Sequence, residues 1–294
     1  MAKKSLIIGA AFVDVIMDIA QFPKSGGDVT AKLKSYNIGG CAFNVYGAIR
    51  SYLGKQAADL FVPVGRGQYS KMVRQTMSQK DIDIILTDSD KDNGWDLCLV
   101  EPSGERTFIT VPGIEQEWKK NWFDKINLAD YQYFYISGYE MEDTSSANLI
   151  LDQLDNREDD AYILFDASPR ISHMESQIID RLLQHHVIIN ANEDEIGFFS
   201  KANSLKRQAA EVFTKTQSPV IVTLGAKGTY LYDQKGGRLI KSTKVSGVVN
   251  TIGAGDTHCG GVIAGLLQRQ SIDEACQIGN DLSAKVICQE AGSL

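Results

Sequence analysis

The sequence predicts an α/β fold: one doubly wound, mostly parallel, Rossmann-like sheet carrying a small β-sheet lid. Three observations predict it. Short β-branched apolar runs alternate with helical patterns along the chain. Several of those runs are continuously apolar, which suits strands covered on both faces. Two stretches break the rhythm with the alternation of half-exposed strands.

In order, buried strands are expected at 6–8, 60–64, 133–136, 162–165, 187–189 and 220–223. Apolar residues at helical spacing predict helices over 42–53, 68–79, 145–154, 175–183 and 205–216. A βαβ succession of this kind builds a parallel sheet with helices on both faces. The first interruption, 28–38, alternates polar and apolar residues without a helical period. The second, 94–111, reads as a hairpin: strand 95–100, a turn at Glu101-Pro102-Ser103-Gly104, and strand 106–111. A last helix is expected over 273–289. No internal repeat or Pro/Ser-rich linker divides the chain. Residues 1–294 therefore read as one domain, with the lid an excursion from it through segments at about 11–38 and 92–112.

The composition, 43% hydrophobic and 23% charged with six prolines in 294 residues, is that of an ordinary globular chain. A net charge of −7 and the lack of any Lys/Arg-rich tract argue against a nucleic-acid partner. The cysteines, Cys41, Cys98, Cys259, Cys276 and Cys288, are odd in number and form no C-x-x-C pair, as in a reduced, cytoplasmic protein without a disulfide frame or zinc site. The histidines form no ligand pattern, and His185-His186 most simply ends a helix. No apolar stretch reaches transmembrane length, and Met1-Ala2-Lys3-Lys4-Ser5 leads into a strand rather than a signal-peptide core. No membrane partner is expected, and a cytoplasmic location is.

The richest string is Asn250-Thr251-Ile252-Gly253-Ala254-Gly255-Asp256-Thr257-His258-Cys259-Gly260-Gly261, followed by a helix-like run at 262–267. A Gly-Ala-Gly turn opening a helix leaves outward N–H groups that, with the helix dipole, form an anion site. Asp256 beside such a site is explained by a base that takes a hydroxyl proton while the N–H groups of Gly253, Ala254 and Gly255 hold a transferring phosphoryl group. The tetrapeptide alone is also a common turn and N-cap. Asp14 follows the carboxyl end of the first strand, where ligands of such sheets bind, and its carboxylate can accept from two polyol hydroxyls; the plain alternative is a turn residue. In Asn37-Ile38-Gly39-Gly40-Cys41-Ala42-Phe43-Asn44, paired glycines let backbone approach a ligand, and Asn44 falls one turn into a helix.

These strings, with Leu164-Phe165-Asp166-Ala167-Ser168-Pro169-Arg170, Asn190-Ala191-Asn192-Glu193-Asp194-Glu195 and Val222-Thr223-Leu224-Gly225-Ala226-Lys227-Gly228, resemble in order and across nearly the whole chain the ribokinase-like (PfkB) family of carbohydrate and nucleoside kinases. The whole is similar to a subgroup of bacterial sugar kinases. The resemblance implies that Asp256 is the general base. It also implies that Asp14, Gly39, Gly40 and Asn44 bind the acceptor, with Arg106 in the lid hairpin beside them. Arg170 would approach the transferring phosphate, although Ser168 stands where that variant of the motif has Asn. Asn192 and Glu195 match an Asn-x-x-Glu element that organises Mg²⁺ through water, a sparse arrangement that suits this ion. Physically, Asn192 as a cap suffices to explain the same residues. Thr223, Gly225 and Gly228 match an element that approaches ATP, and Asn280 aligns with a position lining the nucleotide pocket. No Gly-x-x-x-x-Gly-Lys-Ser/Thr string is present, so this is no P-loop kinase.

The expected activity is transfer of the γ-phosphoryl of ATP, with Mg²⁺, to a hydroxymethyl group of a sugar or sugar-like molecule. A nucleoside kinase is the alternative, for which Phe12, Phe43 and Tyr139 could form an aromatic platform. A non-catalytic sugar- or nucleotide-responsive binding protein is the alternative of another class, and Asp256 argues against it. Relatives often carry Asp where Asn250 stands, and that Asp supports a monovalent-cation site, so the case for K⁺ is weakened, though backbone carbonyls could still bind the ion. The chain reaches 291–294 about where many relatives turn toward a final helix, so part of the adenine-side wall is expected to be absent or altered. Apolar faces at 28–38 and 94–111 could pair with a second subunit, giving a homodimer through the lid. The acceptor's identity is not legible.

Overall fold

The computed structural model describes residues 3–88, 90–289 and 292–294. The readings of the chain's two ends fall partly on Met1-Ala2 and Ala291, outside the described residues. The chain runs β1 (Lys4–Ile8), β2 (Phe12–Ile19), β3 (Ala31–Gly39), α1 (Cys41–Leu53), β4 (Ala58–Phe61), β5 (Pro63–Val64), α2 (Gln68–Gln79), β6 (Leu86–Thr87), β7 (Trp95–Val100) and β8 (Arg106–Val111). It continues through β9 (Tyr131–Ser137), α3 (Gly138–Met141), α4 (Thr144–Leu154), β10 (Tyr162–Asp166), α5 (Ser176–Leu182), β11 (Val187–Asn192), α6 (Leu205–Thr216), β12 (Val220–Thr223), β13 (Thr229–Asp233), β14 (Gly236–Ile240), α7 (Ala254–Leu267) and α8 (Ile272–Val286).

The large sheet has the order β14-β13-β12-β11-β10-β9-β1-β4, parallel from β12 through β4 and closed at the other edge by the antiparallel β13 and β14. Its strands read as continuous apolar runs because both faces are covered. Leu6, Ile8, Phe134 and Ile136 pack toward α4, α5 and α6. Ile7, Tyr135, Leu164 and Ile188 pack toward α1, α7 and α8. The separate small sheet, order β3-β2-β7-β8, is the lid.

Several elements differ from expectation. The strand expected at 60–64 is two, because Pro63 has no N–H to donate to the ladder and β5 leaves the large sheet to pair with β6. β2 belongs to the lid and was not legible as a strand, since Asp14 and Asp18 interrupt its apolar pattern. The stretch 113–130 holds short 3-10 turns that carry Trp118, Trp122 and Phe123 into the core. The last helix is Ile272–Val286 rather than 273–289. His185 and His186 lie beyond the end of α5, with His186 at φ 63°.

Two glycines of the C-terminal string set the helix packing. A Cβ on Gly260 would stand 2.6 Å from the Val45 carbonyl oxygen, and one on Gly261 2.6 Å from the Gly279 Cα. Their bare faces let α7 lie directly against α1 and α8, which brings the start of α1 to the start of α7. Leu294 packs with Ala48, Ile278 and Leu282 on the outer side of this layer.

Candidate active site

The site forms where α7 begins. Gly253, the N-cap, sits at φ 70°, a left-handed conformation that glycine adopts without steric cost. Among the described residues, the N–H groups of Gly253 and Gly255 meet no acceptor, whereas that of Ala254 donates to the Thr251 carbonyl at 3.3 Å. Ala254 is thus less available as an anion donor than the sequence suggests, because the turn closes on its own backbone. Asp256 is half-buried in the first turn of α7, and its Oδ2 accepts from Asn44 Nδ2 at 2.8 Å. Burial pushes the Asp256 carboxyl above the ordinary carboxylate range, opposed by hydrogen bonds from Asn44 and the Cys41 thiol.

On the acceptor side, Asp14 lies in β2 opposite Asn37 of β3 and Asp96 of β7. Its Oδ2 would be only 2.8 Å from a Cβ on Gly39, so Gly39 is what leaves the carboxyl its place. Gly40 then turns the chain into α1, where Asn44 N–H donates to Gly40 O at 3.0 Å and the Asn44 side chain reaches Asp256. Burial and the adjoining Asp96 push Asp14 up to about 8, with Arg106 pulling the other way. Arg106, half-buried in β8, makes no ion pair among the described residues. Glu140 is buried close by, holding the Ser137 hydroxyl at 2.7 Å and backbone N–H at 3.1 Å, and burial pushes it up to about 7.

The carboxyl ends of β10 and β11 complete the floor. Asp166 is buried and accepts from Asn190 Nδ2 at 2.8 Å; burial and the charge of Asp256 push it up to about 7. Asn192 and Glu195 close on each other. Asn192 Oδ1 accepts from the N–H groups of Asp194 and Glu195, while Glu195 accepts from Asn192 N–H at 2.9 Å and Nδ2 at 2.8 Å. Each Glu195 oxygen keeps a lone pair for a water, so a hydrated Mg²⁺ fits this carboxylate. No group of three or more His, Cys, Asp or Glu able to cage a metal occurs among the described residues. The Arg170 guanidinium is 3.4 Å from Glu142 and stands 5.4 Å over the ring of Tyr139, a residue that feels the charge of Asp256.

Beyond α7 opens a cavity of about 620 Å³ lined by Thr223, Gly225, Gly228, Asn280, Ala254 and Gly255, among others. It joins the separate sequence elements expected to hold a nucleotide. Asn280 Oδ1 accepts from Thr229 Oγ1 at 2.8 Å, and Thr229 Oγ1 lies 2.9 Å from His258 Nε2, which braces the cavity floor. Asn250 donates to Gln289 O at 2.7 Å and accepts from Ile252 N–H at 2.8 Å, tying the loop before α7 to the end of α8.

Two site acids, Asp96 and Glu140, stand in no motif, whereas Asp166 belongs to the Leu164–Arg170 string. Of the aromatics Phe12, Phe43 and Tyr139, Phe43 is buried in the core and Tyr139 is faced by Arg170.

Residues 2–294 match the family model described as "pfkB family carbohydrate kinase". The chain is 31% identical to the uncharacterized sugar kinase YegV of Escherichia coli, over 98% of this chain and 89% of that protein. It is 28% identical to the adenosine kinase of Saccharomyces cerevisiae, over 68% and 59%. Among solved structures it is similar to a ribokinase from Thermotoga maritima, with a TM-score of 0.84, 20% identity and coverage of 99% and 94%. It is likewise similar to the Arabidopsis thaliana ribokinase complexed with ribose and ATP, with a TM-score of 0.80, 15% identity and coverage of 99% and 94%.

Proposed function

The chain belongs to the pfkB family of carbohydrate kinases, and from that membership and the geometry of the site we propose that it transfers the γ-phosphoryl group of ATP to a hydroxymethyl group of a sugar or sugar-like molecule. It is a phosphotransferase of the family's alcohol-acceptor class. One observation carries the finer reading. The first turn of α7 stands between the cavity, which Ala254 and Gly255 line, and the acceptor residues, to which Asp256 is tied through Asn44.

In this reading ATP occupies the cavity against Thr223, Gly225, Gly228 and Asn280. Its terminal phosphate meets the N–H groups of Gly253 and Gly255, with Ala254 contributing where its bond to Thr251 opens. Asp14, Gly39, Gly40 and Asn44 orient the acceptor so that its hydroxymethyl oxygen faces Asp256. Asp256 takes the proton as the oxygen attacks, and its raised proton affinity suits a base working near neutral pH. Positioning and charge stabilisation supply most of the catalysis in phosphoryl transfer. Mg²⁺, held through water by Glu195 near Asn192, would neutralise phosphate charge. Arg170, resting on Glu142 and Tyr139, is proposed to approach the transferring phosphate, and Arg106 to face the acceptor from the lid. The carboxylate that would support a monovalent-cation site is replaced by Asn250, whose amide nitrogen donates to Gln289. The burial of Phe43 favours a sugar over a nucleoside, because it removes one face of the aromatic platform. The lid is proposed to pair with a second copy through its exposed edges.

The test is ADP release with Mg-ATP against pentoses, hexoses, keto-acid sugars and nucleosides, with Asp256→Asn as control. Strong turnover of one class, lost in the control, supports the reading. Intact ATP binding with no turnover of any class favours the binding-protein alternative.

A further inference from the structure

We propose that Asp96 is a specificity-determining residue of the acceptor site, which with Asp14 forms a carboxylic acid–carboxylate pair that grips adjacent hydroxyl groups of a polyhydroxylated acceptor. The inference rests on the kinase reading above and assigns a role to a residue that no motif marks.

The register of the lid places it. Asp14 pairs with Asn37 across β2–β3, with Asp96 across β2–β7, and Asp96 pairs with Thr110 across β7–β8. Register partners share a face of a sheet, so Asn37, Asp14, Asp96 and Thr110 form one polar row across all four strands. The alternate residues, Val13, Val15, Trp95, Leu97, Ile109 and Val111, make the other face apolar. The polar row is turned toward the site, because Asp14 packs against Gly39 at the turn that leads to Asn44.

The chemistry of the pair follows from its surroundings. Asp96 Oδ1 is buried and has no hydrogen-bond partner among the described residues. The two carboxyls adjoin across the β2–β7 register and perturb each other. Two adjoining carboxyls away from water do not both ionise, so the pair holds one proton. Burial pushes both acids up, Asp14 to about 8 and Asp96 to about 6; Asp96 adds to the rise at Asp14 while Asp14 opposes it at Asp96, so the proton rests on Asp14. Asp96 is then the carboxylate, with Oδ1 left to accept from an acceptor O–H. The charged and titratable groups that act on the pair or are acted on by it are Arg106 from β8, Cys98 from β7 and Asp256 from α7. Arg106 balances the remaining charge without pairing with either acid. A lone Asp14 would offer one carboxyl to the acceptor; the pair offers two, set on neighbouring strands, and matches two hydroxyls.

The experiment measures kcat and KM for wild type, Asp96→Asn and Asp96→Ala. D-ribose, D-fructose and adenosine serve as probe acceptors, each beside an analogue lacking one ring hydroxyl. For the probe that turns over, Asp96→Ala is expected to raise KM about tenfold or more with kcat within about threefold. Deleting the hydroxyl that Asp96 contacts should cost the wild type about tenfold in kcat/KM and the Ala variant little. An equal penalty in both proteins, or a fall in kcat with KM unchanged, overturns the assignment. A second measurement needs no acceptor: at neutral pH the infrared difference spectrum of wild type minus Asp96→Asn, in which the shared bands of Glu140 and Asp166 cancel, is expected to show a protonated-carboxyl band, as is that of wild type minus Asp14→Asn. No such band in the Asp96→Asn difference overturns the pair even if all three probes are inert, a result that would count against the kinase reading instead.

Discussion

Replacing Asn44 with Leu removes the one side-chain amide that reaches the proposed base while nearly preserving its shape. Asn44 Nδ2 donates to Asp256 Oδ2 at 2.8 Å. A hydrogen bond to a charged acceptor is worth about 1.5–3 kcal/mol, or roughly tenfold to a hundredfold in the balance between ionised and protonated carboxyl. The bond favours the ionised form, in opposition to burial, which favours the protonated one. Losing it therefore moves the acid limb of the kcat profile to higher pH. On that limb kcat should fall about tenfold to a hundredfold, and on the alkaline plateau, where Asp256 is ionised in both proteins, it should stay within a few-fold. Acceptor KM should rise as well, since Asn44 is proposed to bind the acceptor. Asn44→Asp should move the limb further the same way, because a second carboxylate replaces a donor. The assay is steady-state ADP release from about pH 5 to about pH 9 at saturating ATP. A loss of the same factor at every pH, or a limb moved to lower pH, would refute the reasoning.

Glu140 gives a stability test. Its folded-state carboxyl is raised to about 7 by burial, so the folded protein holds a proton that the unfolded chain has released. Stability should fall as pH rises from the ordinary carboxylate range to about 7 and level off above it. Glu140→Gln should raise Tm by several degrees at about pH 8, a gain of roughly 3 kcal/mol at most, and by nothing at about pH 4; an equal change at both pH values would contradict this. The lid predicts an assembly: Leu33 and Tyr36 on β3, and Ile109 and Val111 on β8, are exposed on its apolar face along both edges. Sedimentation at micromolar concentration should give a dimer that Tyr36→Glu weakens, and a monomeric wild type would remove the pairing.

The sequence was informative wherever function depends on a short local string. Gly253 through Asp256 encode a left-handed cap, the proposed anion donors and the proposed base within four residues, and Gly39, Gly40 and Asn44 encode the turn and the helix position that meet them. The parallel strands were legible because burial on both faces makes each one an unbroken apolar run. Function that arises from register was not legible. Asp96 matters only because β7 pairs with β2, and no spacing along the chain says so. Glu140 and Asp166 are lone acids whose burial is set by neighbours distant in sequence. The contacts of Arg170 with Glu142 and Tyr139 were also not legible, since its string speaks only of phosphate. Ala254 likewise has the right position, but its N–H closes the preceding turn.

The most direct test of the central claim follows the γ-phosphoryl group itself. Phosphorus NMR of the reaction between Mg-ATP and the preferred acceptor identifies the product, and Asp256→Asn is run beside the wild type. The account expects a phosphomonoester on the acceptor's hydroxymethyl oxygen, formed roughly 10²–10⁴-fold more slowly by the variant although the variant binds ATP as tightly. Near-normal turnover by Asp256→Asn, or inorganic phosphate in place of the ester, would contradict it.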